Sequence, residues 1–347
     1  MEKYLDISNQ SINYTIFDET RPYEVAYYFN VCLLSIGLVN NFVCFFVFLN
    51  KNLRKRKFNW YLLALAVFEF LFCLIGFIDY IFVKVHKQEI FLHDLHKLSY
   101  MIINYIIHTS DSCVSILTLL VSMDRLYAIK NPMKIKEFFT CRHAIKTITS
   151  SLFVLILLKT LSFCFCESNI NSELFIVYCS LISPILFNTI PLTMILIING
   201  LLAKEMLQNK KIQQNYQLNE SQLNFEGLSS RRNTRAMSKR NKSVITINKI
   251  DRRESSNVQK SHYIVILVLS IWSVFTSIPY YSFNTYFSLF RLKLFSSGFH
   301  LKTVVMTQTI SSVLFNSNHC VNFFMYLLFY SEFRSILRNT FIKMFSK

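Results

Sequence analysis

The chain has 347 residues, 52% of them hydrophobic and only 16% charged, and its net charge is +17. A soluble domain of this length would interrupt its apolar stretches with charges every few positions. This chain instead has four stretches without Asp, Glu, Lys or Arg, at 25–50, 174–203, 261–290 and 303–331. Each is longer than the roughly 20 residues that a helix needs to cross a bilayer, so an ordinary soluble protein is excluded.

The chain begins with an acidic segment, residues 1–24, that precedes the first apolar stretch. It has no apolar core of a cleaved signal peptide, so we expect the first span to act as its own insertion signal. Asn9 and Asn13 stand in sequences that accept N-linked glycans. We expect an extracellular N-terminal tail with Asn9 and Asn13 as candidate glycosylation sites.

Three further apolar segments with isolated charges bring the number of spans to seven, at about 59–83, 98–123 and 147–166. An apolar span must satisfy its backbone hydrogen bonds internally, as only helices and closed barrels do. The alternating pattern of barrel strands is missing. The sequence therefore predicts an all-α integral membrane protein, with a seven-transmembrane helix bundle over residues 25–330.

The basic residues are unevenly distributed between the segments that join these spans. With the N-terminus outside, 28 of the 37 Lys and Arg residues fall in four inner segments, 51–57, 125–146, 204–260 and 334–347. This is the positive-inside pattern of membrane proteins, reinforced by attraction to the anionic inner leaflet of the lipid bilayer. The basic excess indicates topology and argues against nucleic-acid binding.

Two inner segments have a distinct composition. Residues 204–260 are rich in Asn, Gln, Ser, Lys and Arg, which is typical of a disordered loop. Residues 331–347 place apolar side chains on one helical face and basic ones on the other, which predicts a short amphipathic eighth helix before the cytoplasmic end. Its apolar face comprises Phe333, Ile336, Leu337, Phe341 and Phe345.

Polar residues within the spans are the main functional candidates, because the bilayer makes them costly. Glu69 in the second span needs a proton, an ion or a polar partner. Asp124 and Arg125 end the third span at its inner side. The other candidates are Asn41, Pro279, Asn322 and Tyr326, in the first, sixth and seventh spans.

A second group of candidates lies in the outer half of the third span. Asn104, His108 and Asp111 are spaced four and three residues apart and so share one helical face. They are placed to contact a ligand, although Asp111 has the alternative of pairing with a polar neighbour. His93 and His96 lie in a predicted outer loop as solvated side chains, and neither a metal nor a cofactor is expected.

In their order and placement these residues resemble the motifs of rhodopsin-like (class A) G-protein-coupled receptors, over residues 25–345. The family's Asp-Arg-Tyr is similar to Asp124-Arg125-Leu126, and its Leu-Ala-x-x-Asp to the stretch that ends at Glu69. Its Asn-Pro-x-x-Tyr is similar to the stretch from Asn322 to Tyr326. The variant Asn-Phe-x-x-Tyr looks most like invertebrate neuropeptide receptors of the FMRFamide type.

The resemblance implies a multi-pass receptor of the plasma membrane, not an enzyme, activated by an extracellular ligand and coupled to a heterotrimeric G protein. It implies that the sixth span swings outward about Pro279 and releases Arg125 to contact the G protein. A water-bridged polar network is expected among Asn41, Glu69, Asn322 and Tyr326.

The resemblance also narrows the ligand class. Ile107 stands where amine receptors have an aspartate, and Asn316 where opsins have the lysine that binds retinal. A short neuropeptide is therefore the preferred ligand. Two other functions stay open: a chemosensory receptor of the same fold for small molecules, and a membrane transporter or channel with Glu69 and Asp111 on an ion path.

Several positions depart from the family pattern. The third span lacks the usual outer cysteine, so we expect the usual disulfide to be absent. Ser277 stands where the family has its sixth-span tryptophan, and Gln259 stands where some members have an acidic partner for the third-span arginine. Val114 stands where the family has a serine of its sodium site. These departures put sodium regulation in doubt, and they imply a weakly restrained resting state with elevated basal activity.

Overall fold

The computed structural model describes residues 16–86, 93–131, 140–168, 183, 185–208, 264–286 and 301–345. The helices in this part of the chain are α1 Ile16–Phe48, α2 Lys51–Arg54, α3 Lys57–His86, α4 His93–Lys130, α5 Cys141–Ser168, α6 Ile185–Gln208, α7 Ile264–Tyr286, α8 Leu301–Phe329 and α9 Ser331–Phe345. Asn9, Asn13 and residues 209–260 of the predicted inner loop lie outside the described residues.

Seven of these helices, α1 and α3 to α8, correspond to the seven predicted spans. Among the described helices, six are long and apolar enough to cross a membrane. The seventh, α8, is long enough but is too polar to be counted with these six. Its polar side chains are buried in the protein: Ser311, Asn316, Asn318, His319 and Asn322. A span can carry such residues where they face other helices. The predicted seven-helix bundle is confirmed.

The bundle packs around α3, which lies against α1, α4, α5 and α8. α1 also lies against α8, and α8 against α9. Large apolar side chains such as Phe42, Phe153, Leu161 and Phe275 are exposed on the outer surface. This arrangement, with polar residues inside and apolar residues outside, is the one expected of helices surrounded by lipid.

The α1 and α6 helices each have a feature that the sequence does not predict. α1 begins at Ile16, so residues 16–24 of the predicted tail are helical. The α6 helix opens with a π-helical turn, Ile185–Thr189, just before Pro191. Proline has no N–H to donate to the preceding turn, so the regular α-helical bonding is interrupted where the turn widens.

Polar side chains of the loop and of α3 fix the backbone between α1 and α3, a loop that the sequence predicts to lie at the inner side. Asn50 caps α2 by accepting a hydrogen bond from the backbone N–H of Asn52, at 3.0 Å. From the start of α3, Asn59 Nδ2 donates to the carbonyl of Leu53 at 2.8 Å, and Trp60 Nε1 to that of Arg54 at 3.0 Å. These bonds tie the loop backbone to the first turn of α3.

The predicted amphipathic helix is present as α9. Its residue Phe333 is fully buried, with ring centroids 5.4 Å from Phe48 and 5.5 Å from Tyr326. Arg334 donates from Nη1 to the carbonyls of Leu327 and Leu328, at 2.9 and 2.8 Å. Because the last carbonyls of a helix lack partners within the helix, this arginine caps α8 where the chain turns into α9.

Candidate functional site

The inner end of α4 carries the charged pair Asp124 and Arg125. Lys57, the first residue of α3, donates a hydrogen bond from Nζ to Oδ1 of Asp124, and the two side chains are only 12% and 10% exposed. The guanidinium of Arg125 lies over the ring of Phe58, 4.2 Å from its centroid, a cation–π contact. Because the ion pair of Lys57 and Asp124 is largely buried, solvent screens it only weakly, and its attraction favours contact between α3 and α4.

Lys57 is a site residue that the sequence analysis misses. There it counts only as one of the basic residues of segment 51–57, which indicate topology. The structure gives it a defined partner because the capped α2 and the bonds of Asn59 and Trp60 fix the loop just before α3. The available signal was a lysine at the inner boundary of a span, on the same side of the membrane as the aspartate.

Glu69 lies beside a cavity between α3, α4, α7 and α8, nearer the centre of the bundle. The cavity lining includes Glu69, Val114, Thr118, Ser273, Asn318 and Asn322. The amide of Asn322 donates directly to Oε1 of Glu69, and both side chains are buried. This direct bond differs from the water-bridged contact expected from the resemblance. Val114 contributes no side-chain oxygen, so the position aligned with the sodium-site serine offers no ligand.

The other two members of the expected network have different surroundings. Asn41 donates to the carbonyl of His319 at 2.8 Å and to Sγ of Cys73 at 3.9 Å, so it joins α1 to α8 and α3. The ring of Tyr326 packs among aromatic side chains, including Phe48 at 5.2 Å. Its hydroxyl is buried and has no hydrogen-bond partner among the described residues. Among the described residues, direct hydrogen bonds join Glu69 to Asn322 but not these two to Asn41 or Tyr326, and the water-bridged network stays a prediction.

The α7 helix is joined to its neighbours by polar side chains on the inner side of Pro279. Ser270 Oγ lies 3.4 Å from Ser122 Oγ of α4, and Ser273 Oγ accepts from Asn318 Nδ2 of α8 at 3.4 Å. Both distances exceed the usual range of such hydrogen bonds, so the bonds are weak. Pro279 itself cannot donate to the carbonyl four residues earlier, which weakens the helix at that level.

Asp111 joins α7 and α8 to α4 in the middle of the bundle. Its Oδ2 accepts a hydrogen bond from the hydroxyl of Tyr281, and its Oδ1 lies 3.6 Å from Nε2 of His319. All three residues are buried, at 3%, 5% and 0% exposure respectively. The structure thus favours the alternative in which Asp111 pairs with polar neighbours.

His319 and Tyr281 are further residues that sequence reasoning does not identify. The ring of His319 stacks on Phe72 of α3, with 3.7 Å between centroids and 25° between planes. Phe315 packs on the same histidine at 5.4 Å. The signal was present in the sequence as a histidine and a tyrosine inside spans, but nothing there shows which helix faces they occupy.

Asn104 and His108 are more accessible than Asp111, although the three share one face of α4. Asn104 is half-buried and His108 is exposed. Lys159 of α5 is also buried, and its Nζ donates to Ser183 Oγ at 3.3 Å. The face therefore leads from accessible polar groups to a buried carboxylate.

The remaining expectations concern metals and cysteines. Among the described residues, no group of three or more His, Cys, Asp or Glu side chains is placed to hold a metal. Cys164 is a free thiol, whereas Cys179 lies outside the described residues. α4 begins at His93, so this residue is helical and does not belong to a loop as expected.

Comparison with known proteins adds a family to this geometry. The model of the 7 transmembrane receptor (rhodopsin family) matches residues 39–326, which include Glu69, Asp111, Asp124, Arg125 and Asn322. The search of curated proteins found no match. The family match covers most of the chain and contains the inner charged pair, the cavity and the buried Asp111 cluster. The chain therefore belongs to the rhodopsin family of seven-transmembrane receptors, so it is a multi-pass membrane receptor that responds to an extracellular ligand through a G protein, and not an enzyme.

Proposed function

We propose that this receptor lies in the plasma membrane with its N-terminus outside and that its ligand is a short neuropeptide. The orientation is supported by the acidic segment 1–24 and by the basic inner segments. The ligand class is supported by the resemblance to neuropeptide receptors and by the residues at two ligand positions. Ile107 cannot pair with an amine, and Asn316 donates to Asn30 at 3.0 Å where a retinal-binding lysine would stand.

The observation that carries the proposal is the graded polar face of α4. His108 is exposed and Asn104 half-buried, which would suit contact with a ligand from outside, and Asp111 lies one turn deeper among buried groups. A peptide presents several backbone and side-chain polar groups along its length, so it can satisfy donors and acceptors at successive turns. A small apolar odorant has no hydrogen-bonding groups to offer to this polar face.

The signalling mechanism that we propose uses α7 as the moving element. Peptide binding favours an outward swing of α7 about Pro279, because the peptide has a higher affinity for the active arrangement. The swing breaks the weak contacts that Ser270 and Ser273 make with α4 and α8. Arg125 then leaves its position over Phe58 and contacts the G protein.

The transporter alternative finds less support in the surroundings of its two key carboxylates. Glu69 accepts from Asn322, and Asp111 from Tyr281. An ion path needs carboxylates that exchange partners with a passing ion, whereas these two make direct contacts with protein side chains. We therefore keep the peptide receptor as the proposed function.

The ligand class is tested by a peptide-library screen on cells that express the chain, with G-protein nucleotide exchange as the readout. At least one short peptide should stimulate exchange. The binding site is then tested with a labelled form of that peptide and the variant His108→Ala. We expect its affinity to fall about tenfold, as for the loss of one hydrogen bond worth roughly 1.4 kcal/mol.

His143→Ala is the matched control for the binding measurement. His143 is exposed near the start of α5, at the inner side of the bundle, so its loss should leave peptide affinity unchanged. If wild type and His108→Ala bound the peptide with equal affinity, the proposal that this face of α4 contacts the ligand would be contradicted. Activation by small molecules and by no peptide would favour the chemosensory alternative, and a G-protein-independent flux altered by Glu69→Gln would favour the transporter.

A further inference from the structure

We infer that Asp111, Tyr281 and His319 form a core latch that holds α7 against α4 and α8 in the resting receptor. The latch transmits ligand binding to the inner end by opening. This inference rests on the proposed outward swing of α7 and names the residues that restrain it. All three act as positioning residues, because they set the arrangement of helices and do not contact the G protein.

Each member of the core latch comes from a different helix. Asp111 belongs to α4, Tyr281 to α7 and His319 to α8. The tyrosine hydroxyl donates to one carboxylate oxygen, and the histidine ring lies 3.6 Å from the other. The carboxylate therefore holds α7 by a hydrogen bond, whereas the histidine of α8 lies beside it at a distance longer than a hydrogen bond.

The surroundings keep these groups in place. Phe72 stacks on the ring of His319 at 3.7 Å, and Phe315 packs against both His319 and Tyr281, at 5.4 and 5.7 Å. The aromatic side chains exclude water and lower the local dielectric constant, which strengthens the polar contacts. The same burial penalises any arrangement in which Asp111 has lost its donors.

The position of the core latch suits it to respond to the ligand. Tyr281 follows Pro279 by two residues, so the contact is made close to the level about which α7 is proposed to swing. Asp111 lies less than one turn from His108 on the accessible face of α4. A hydrogen-bond donor of the peptide that reaches Asp111 can replace the hydroxyl of Tyr281. The carboxylate then keeps a donor when the core latch opens, so opening no longer carries the penalty of an unpaired buried group.

The variant Tyr281→Phe tests the core latch because it keeps the ring and removes the donor. We expect basal nucleotide exchange, measured without peptide and normalised to surface receptor, to rise about five- to tenfold. Tyr105→Phe is the matched control. Its hydroxyl lies 2.6 Å from Thr160 Oγ1 and joins α4 to α5, which leaves α7 uninvolved. Its basal exchange should equal that of wild type.

A second pair of variants separates a latch from a purely structural role. Asp111→Asn keeps an acceptor for Tyr281 and should raise basal exchange less than Asp111→Ala. The double variant Asp111→Ala/Tyr281→Phe should exceed neither single variant by more than about twofold, since both remove the same contact. Lower surface expression with unchanged exchange per receptor would identify a structural role.

The inference is overturned if basal exchange of both Tyr281→Phe and Asp111→Ala stays within twofold of wild type. It is also overturned if their effects multiply in the double variant. The readout needs no peptide, so the core latch can fail while a peptide response persists. Conversely, the peptide proposal can fail while basal exchange responds to these variants as expected.

Discussion

At the scale of single residues, Lys57 changes the account of the inner charged pair. The sequence identifies Asp124 and Arg125 as a pair, and the structure adds a lysine partner of the aspartate from another helix. Removing one member of a sheltered ion pair leaves the other charge without compensation, which is more costly than losing an exposed pair. Lys57 should therefore stabilise the resting arrangement of α3 and α4.

We predict that Lys57→Met, which keeps the side-chain length and removes the charge, raises basal G-protein exchange. A loss of about 1 kcal/mol from the resting state corresponds to roughly a fivefold increase. Lys55→Met is the control, because Lys55 lies in the same loop with an exposed side chain. A rise that is equal in the two variants would show that general loop charge, and not the contact with Asp124, sets basal activity.

The sequence locates the charged and polar residues but not their partners. Asp124 and Arg125 are identifiable because charges at a span boundary are rare. Lys57 is 67 positions from its partner, and Tyr281 is 170 positions from Asp111. Contacts over such separations depend on helix rotation and tilt, which the packing of several helices determines together and which no local pattern encodes.

At the scale of helices, α1 approaches α3 and α8 closely at Gly37. A Cβ atom there would lie 2.6 Å from Sγ of Cys73 and 2.8 Å from Sγ of Cys320, both shorter than a normal contact. Small residues allow helices in a bilayer to pack closely, where dispersion replaces the hydrophobic effect as the attraction. Asn41, one turn along α1, makes its bond to α8 next to this contact.

We predict that Gly37→Ala destabilises the receptor by roughly 1–3 kcal/mol, as overpacking does in other protein cores. The measurement is the midpoint of thermal unfolding of the purified receptor in detergent, which should fall. Gly200→Ala is the matched control, because no atom would lie within 4 Å of its Cβ. A midpoint for Gly37→Ala that is no lower than that for Gly200→Ala would contradict the close packing.

The helices themselves are largely predictable, and the reasons are physical. The spans are identified by the length of apolar segments with few or no charged residues, and the apolar face of residues 333–345 predicts α9. The beginning of α1 at Ile16 is not predictable, because helix and tail share a polar sequence there. In α7, the buried Ser277 stands at the position of the family's sixth-span tryptophan. Trp272 lies elsewhere on the helix, with its ring centroid 6.4 Å from that of Phe275, so it does not take the place of that tryptophan.

At the scale of the whole molecule, polar groups occur at successive depths of the bundle. From outside to inside they are the accessible His108, the core latch around Asp111, the bond of Glu69 with Asn322 and the pair of Lys57 with Asp124. Each of the three buried contacts joins neighbouring helices. A ligand that prefers the open form of the outermost buried contact shifts the equilibrium of the whole bundle.

These contacts also revise the expected basal activity. The departures from the family pattern imply a weakly restrained resting state. Lys57 and the core latch supply restraints that the motif comparison does not include, so we now expect low basal exchange in the wild type. The Tyr281→Phe and Lys57→Met variants should then show large relative increases.

The most direct test of the account is Arg125→Ala, assayed by peptide-stimulated nucleotide exchange on a G protein at matched surface expression. Arg142→Ala is the control, because Arg142 is exposed near the start of α5, also at the inner side of the bundle. The account predicts that Arg125→Ala abolishes stimulation while labelled peptide still binds, and that Arg142→Ala responds as wild type does. Full stimulation through Arg125→Ala would contradict the account.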